Sequence, residues 1–122
     1  SQVLVNLLPL TLDTENILNR DTLARLQPGA YVINVARGAH LVDADLLALL
    51  DSGHLAGATL DVFRTEPLPA EHPFWQHRCI TVTPHTSART LRDESVAQIA
   101  GKIRALERGA SITGVVDPLR GY

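Results

Sequence analysis

Three residue types that together can handle a carboxylic acid bearing a reactive carbonyl stand directly after apolar runs in this chain: Arg37 in NVARG, Glu66 in RTEPLP and His85 in TPHTS. A guanidinium fork grips a planar carboxylate through two parallel N–H bonds, a geometry that neither an ammonium nor an amide reproduces. Arg37 therefore suits the holding of a substrate. When hydride reaches a carbonyl carbon, charge grows on the oxygen, and a proton donor working near neutral pH is required. His85 is of that type. A carboxylate beside an imidazole favours the charged ring, and that is the task for Glu66. The set suits reduction of a small 2-oxoacid.

Each residue also has a plainer reading. Arg37 reads equally as a solvated turn charge, with Gly38 following it to permit a positive φ. Glu66 reads as loop surface, Asp61 as an ordinary polar residue at a strand end, and Ser87 as a turn residue. His40, His54, His72 and His77 read as surface or turn histidines. What favours chemistry is common placement, and that depends on the elements around these residues.

Four short runs rich in apolar and β-branched residues predict strands: VLVNLL (3–8), AYVINV (30–35), ATLDVF (58–63) and CITVTP (79–84). Their nearly continuous hydrophobicity predicts parallel pairing with helices on both faces. Between the first two runs, TENILNRDTLARLQPG carries helix-forming stretches closed by Pro28-Gly29. Between the second and third, Asp43 stands where it could cap ADLLALLDS, and Gly53 where a C-terminal glycine belongs. RTEPLPAEHPFWQHR, rich in proline, predicts a structured loop. Thr90 and Asp93 resemble a capping box ahead of a helix running to about Gly109, with Val96, Ile99, Ala100, Ile103 and Leu106 on one face and an irregular tail after it. Alternating strand and helix gives an α/β fold. In such a sheet, ligands bind beyond the carboxyl ends of the strands. Asn6, Pro9, Arg37, Asp61, Glu66 and His85 all fall on that edge.

Composition narrows the partners. Of 122 residues, 11 are basic and 13 acidic, for a formal charge of −2 without any basic block, so neither nucleic acid nor an anionic membrane surface is indicated. A single cysteine, Cys79, allows no internal disulfide and fits a reducing compartment. No apolar run reaches membrane-spanning length and no signal-like start is present, which makes the cytoplasm the expected location. There is no HExxH, cysteine pair or GxSxG, so zinc chemistry and a serine hydrolase are not expected. The chain opens with Ser1-Gln2 straight into a strand-like run, as if cut from something longer.

The continuous segment LQPGAYVINVARGAHLV, followed in register by LLALLDSGHLAGATLDVFRTEPLP and CITVTPHTSA, resembles the D-2-hydroxyacid dehydrogenases over nearly the whole chain. The resemblance implies the second half of a Rossmann-type doubly wound sheet. Residues 1–89 would be the carboxyl-terminal half of an NAD(P)-binding domain, and residues 90–122 a helix and tail returning to a substrate domain. It implies that Arg37 binds the oxoacid, Glu66 pairs with the histidine and His85 is the acid/base. Asp61 and main chain near Ala36 would contact the nicotinamide carboxamide, while Leu8, Pro9 and Thr14 line the cofactor cleft. NLLP and the terminal VDPLRGY resemble a branch acting on glyoxylate and hydroxypyruvate, usually with NADPH, although NAD remains open. Leu7 stands two residues before Pro9 where much of the family has His or Asn, and Thr86-Ser87-Ala88 replaces a commoner glycine-containing turn. No GxGxxG occurs in the chain. By this reading the segment alone lacks the phosphate cradle and is inactive, and its exposed edges favour self-association or a homodimer. Two other readings are a non-enzymatic NAD(H)-binding sensor of the corepressor kind and a flavodoxin-like module, the latter without the expected acidic pocket or phosphate loop.

Overall fold

The computed structural model describes residues 1–88 and 90–119, and these form two compact units, Ser1–Ser87 and the segment from Ala88 onward. The first unit holds one sheet of four parallel strands, β1 (Val3–Asn6), β2 (Ala30–Asn34), β3 (Leu55–Leu60) and β4 (Ile80–Val82), adjacent in chain order. All four predicted strands are present. The third begins and ends three residues before the predicted run, because Leu55 is buried in the core and the chain leaves the ladder once the Asp61 N–H has bonded the Asn34 carbonyl at 3.0 Å. Asp61, Val62 and Phe63 thus belong to the outgoing loop.

Helix α1 is only Arg20–Leu23, far shorter than the predicted stretch. Leu18 is held extended by a bridge to Leu41, its N–H bonded to the His40 carbonyl at 2.8 Å, so a helix cannot start before it. Asn19 then caps, accepting the Thr22 N–H at 3.1 Å. Helix α2 spans Asp43–Asp51, and Asp43 is its first residue, not its cap. The Val42 carbonyl already accepts from Asp45 and Leu46, which places Val42 at the cap position without a side-chain bond. Asp43 instead pairs with His72 at 3.5 Å. Gly53 follows α2 with φ 74°, as expected for a glycine after a helix end.

Leu23, Val32, Leu46, Leu50, Ala58 and Leu60 form one core, shared by α1, α2 and one face of the sheet. The expected covering of both faces is not found within the first unit. On the second face Tyr31, Ile33 and Thr59 stay half-buried. The Tyr31 ring lies over Gly57, where an added Cβ would stand 2.5 Å from Cε2, and the Tyr31 hydroxyl meets that of Thr59 at 3.0 Å. The proline-rich third connection is a loop with one short 3-10 turn, Pro73–Trp75, anchored by buried Phe74.

The second unit consists of helix α3 (Arg92–Glu107) and an irregular tail. The expected Thr90–Asp93 capping box does not form; Leu91 takes the cap position, with no side-chain bond. None of its residues is buried. Arg120, Gly121 and Tyr122 of the terminal VDPLRGY motif lie outside the described residues.

Candidate active site

Parallel pairing brings the carboxyl ends of all four strands to one edge, and three loops there are braced by a buried polar network. Asn6 and Asn34 end β1 and β2 in register, and His40 follows in a short 3-10 turn, Gly38–His40. All three are buried. The two Asn6 amide hydrogens go to Asn34 Oδ1 at 3.0 Å and His40 Nδ1 at 2.9 Å. An amide nitrogen only donates, so Nδ1 accepts and the His40 proton sits on Nε2, directed at the Pro9 carbonyl 3.3 Å away. Asn34 in turn bonds the Arg37 carbonyl at 3.1 Å and accepts the Ala36 N–H at 3.2 Å. His40 is therefore a brace of this edge, not the surface histidine that its sequence context indicates.

That brace sets the backbone of Arg37, whose side chain is exposed and bonds its own loop through Nη1 to the Ala36 carbonyl at 2.7 Å. Gly38 does not have a positive φ. It is needed because the Phe63–Arg64 backbone crosses it, leaving an added Cβ only 1.9 Å from the Phe63 carbonyl carbon. The same two loops are tied by Arg64, whose Nη2 donates to the Ala39 and Leu41 carbonyls at 3.1 and 3.0 Å and to Asn16 Oδ1. Neither Arg64 nor this close approach was legible from spacing; the only sequence signal was glycine beside a candidate ligand residue.

Glu66 is oriented by the Phe63 N–H, which donates to Oε1 at 2.9 Å, leaving Oε2 to meet His85 Nδ1 at 2.8 Å. The bond with His85, then that from Phe63, holds the Glu66 carboxyl below the usual carboxylate range. His85 sits after β4 with φ 52°, in the left-handed region, and half of its side chain is exposed. Arg37, Glu66 and His85 line one open pocket of about 300 Å³, together with Leu10, Phe63 and Arg64. A second pocket, about 200 Å³ and mostly apolar, shares Phe63, Glu66 and His85 with the first and is walled by Leu68, Trp75 and Val82.

The residues expected near a nicotinamide are more varied. Asp61 is almost wholly buried and accepts from Thr83, Thr86 and Ser87. Burial alone would raise its carboxyl; the Ser87 and Thr83 hydroxyls with the Thr86 and Ser87 amides outweigh this and hold it far below the usual range. Thr14 closes a turn, its hydroxyl donating to the Pro9 carbonyl at 2.7 Å. Ala36 is buried, while the Leu8 side chain is exposed at the end of β1. Among the described residues no group of three or more His, Cys, Asp or Glu side chains could hold a metal ion, and no helix is long and apolar enough to cross a membrane.

Residues 1–87 match the family model for the D-isomer specific 2-hydroxyacid dehydrogenase, NAD binding domain. A glyoxylate/hydroxypyruvate reductase A from Serratia proteamaculans is 59% identical over 121 residues, which is 99% of this chain and 39% of that protein. One from Yersinia enterocolitica is 50% identical over 100% of this chain and 39% of its own length. Among solved structures, a D-isomer specific 2-hydroxyacid dehydrogenase from Xanthobacter autotrophicus Py2, in complex with NADPH and MES, superposes with a TM-score of 0.95 at 45% identity, over 100% of this chain and 50% of that one. An NADPH-dependent glyoxylate/hydroxypyruvate reductase from Sinorhizobium meliloti, in complex with NADP and sulfate, gives 0.94 at 40% identity, over 100% of this chain and 40% of its own. The chain thus spans about two-fifths of the curated relatives that it matches. With a parallel sheet whose carboxyl edge carries Arg37, Glu66 and His85 around one pocket, and a family match over its whole first unit, the chain belongs to the D-isomer specific 2-hydroxyacid dehydrogenases, as part of their NAD-binding domain.

Proposed function

We propose that the full-length protein containing this segment reduces a small 2-oxoacid of the glyoxylate or hydroxypyruvate type to the 2-hydroxyacid with NADPH. The observation that carries this reading is the Glu66–His85 pair at 2.8 Å, opening with Arg37 onto a single pocket of about 300 Å³. Arg37 has most of its guanidinium N–H groups uncommitted and holds the substrate carboxylate as a fork. Glu66, fixed by the Phe63 N–H, occupies His85 Nδ1 and so leaves Nε2 to deliver a proton to the carbonyl oxygen. The cofactor, when bound, supplies the hydride.

The exposed Leu8 and the main chain around Pro9 and Ala36 suit one side of a nicotinamide ring at the end of β1 and β2. Nothing in the sequence supplies a GxGxxG phosphate cradle, so the 122-residue chain alone binds NADPH weakly and turns over negligibly. In the full-length protein residues 90–122 would return to the substrate domain. The open edge of β1 and the apolar stripe of α3 also suit self-association, which light scattering over a concentration series would detect. The deciding experiment is glyoxylate-dependent NADPH oxidation by the full-length protein and its His85→Gln variant. We expect turnover in the parent and a loss of kcat of roughly 100-fold in the variant. Near-normal kcat in the variant would remove His85 from the proton-donor role, and Arg37→Lys with unchanged KM would remove the carboxylate clamp.

A further inference from the structure

We infer that His40 is a positioning residue that couples two ligand sites: by joining Asn6 to the Pro9 carbonyl it ties the Leu8–Pro9 wall of the cofactor cleft to the turn of Arg37, so that NADPH and the oxoacid each strengthen the binding of the other. The inference rests on the reading of Pro9 as cofactor wall and of Arg37 as carboxylate clamp. β1 and β2 stop pairing at Asn6 and Asn34, and their chains then part. Among the described residues, the hydrogen bond between residues 7–10 and residues 35–40 is the one from His40 Nε2 to the Pro9 carbonyl, at 3.3 Å. That carbonyl also accepts the Thr14 hydroxyl at 2.7 Å, so both of its lone pairs are engaged.

The connection from one wall to the other is unbroken. The Leu8 N–H donates to Asn6 Oδ1 at 3.2 Å, and the Asn6 amide donates to His40 Nδ1 at 2.9 Å and to Asn34 Oδ1 at 3.0 Å. Asn34 then donates to the Arg37 carbonyl at 3.1 Å, while its Oδ1 also takes the Ala36 N–H at 3.2 Å. Asn6, Asn34 and His40 are each at most 3% exposed, so a broken link has no water to replace it. Satisfied polar networks of this kind rigidify what they join. A ligand that fixes one wall thereby fixes the other, and the second ligand meets a site already ordered. Histidine fits the place because one ring carries an acceptor for Asn6 and a donor for Pro9 on separate nitrogens.

The test uses the full-length protein and oxamate, an unreactive carboxylate analogue of glyoxylate, with titration calorimetry reading oxamate affinity in the absence and presence of saturating NADPH. His40→Gln keeps an acceptor and a donor in one side chain. Asn6→Leu combined with His40→Leu removes both partners of the central bond and so strands no buried donor between them. We expect NADPH to tighten oxamate binding by about 10-fold in the parent, by a factor within about 3-fold of that in His40→Gln, and by less than about 2-fold in the double variant. Oxamate should tighten NADPH by the same factor in each protein, since coupling between sites is reciprocal. If the double variant does not fold, His40→Asn decides the matter: its shorter side chain can meet Asn6 but not reach Pro9, and the factor should again fall below about 2-fold. A role confined to stability would lower the unfolding midpoint and leave the factor as it is in the parent, and that result would overturn the inference. Absence of coupling in the parent would overturn it equally. Failure of the underlying reading shows separately, as no glyoxylate-dependent NADPH oxidation by the parent or an unchanged KM in Arg37→Lys, whatever the oxamate factor.

Discussion

The two units put the same kind of apolar pattern to opposite uses. In Ser1–Ser87, Leu46, Leu49 and Leu50 of α2 are buried against β2 and β3, whereas in the second unit Val96, Ile99, Ile103 and Leu106 of α3 recur at helical spacing and are each more than half exposed. Periodicity states that a face wants burial, not that it has found any. The difference separates a region stabilised by its own contacts from one whose stripe has no buried member among the described residues. The candidate site falls in the first of these regions, which suits groups that must be held by rigid neighbours.

Substitutions of glycine and leucine test this contrast most sharply. Gly38→Ala forces a Cβ into the Phe63 backbone and is expected to destabilise the first unit by on the order of 4 kcal/mol or more, read from urea unfolding followed by the fluorescence of Trp75. A loss below about 1 kcal/mol would mean that the two loops part easily. Next in size, Leu46→Ala should cost about 3 kcal/mol, while Ile99→Ala in the same chain should cost under about 0.5 kcal/mol. Equal costs would show that the α3 stripe is packed in solution.

Acid should discriminate the units further. The Asp61 and Glu66 carboxyls lie below their ordinary values of 3.8 and 4.5. Their contribution is complete above those ordinary values and is lost as pH falls toward the folded ones. Asp61→Asn should therefore flatten the acid limb of the first unit's stability curve, and an unaltered limb would contradict the hydrogen-bond pattern around that carboxylate. A modest gain is expected at Gly101, in mid-α3 with nothing within 4 Å of an added Cβ, where Ala should raise helix stability by roughly 0.5–1 kcal/mol in a circular dichroism melt.

The strands and the order of the site residues along one edge were legible because apolar runs and parallel α/β topology are local or rule-bound properties. What was not legible came from contacts between distant residues. Asp43 and Thr90 have cap-like residue types, yet Val42 and Leu91 occupy the caps; at Val42 the incoming backbone is already fixed, its N–H bonded to the Leu18 carbonyl at 3.1 Å. His40 reads in sequence as any loop histidine, and what sets it apart is its bond to Asn6, 34 residues earlier. Gly38 signalled something special about the chain, but the cause was a crossing backbone and not a dihedral angle. Ser87 looked like a turn filler, and its hydroxyl meets a carboxylate 26 positions away.

The grip of Arg64 on the Ala39 and Leu41 carbonyls has an evolutionary corollary. Because it clasps oxygens that every amino acid possesses, substitutions at 39 and 41 leave its ligands in place, whereas one codon inserted or deleted between 37 and 41 would carry them out of reach. Homologous genes should thus keep the length of this stretch constant, a constraint separate from the ones that act on the identities of Gly38, His40 and Leu41.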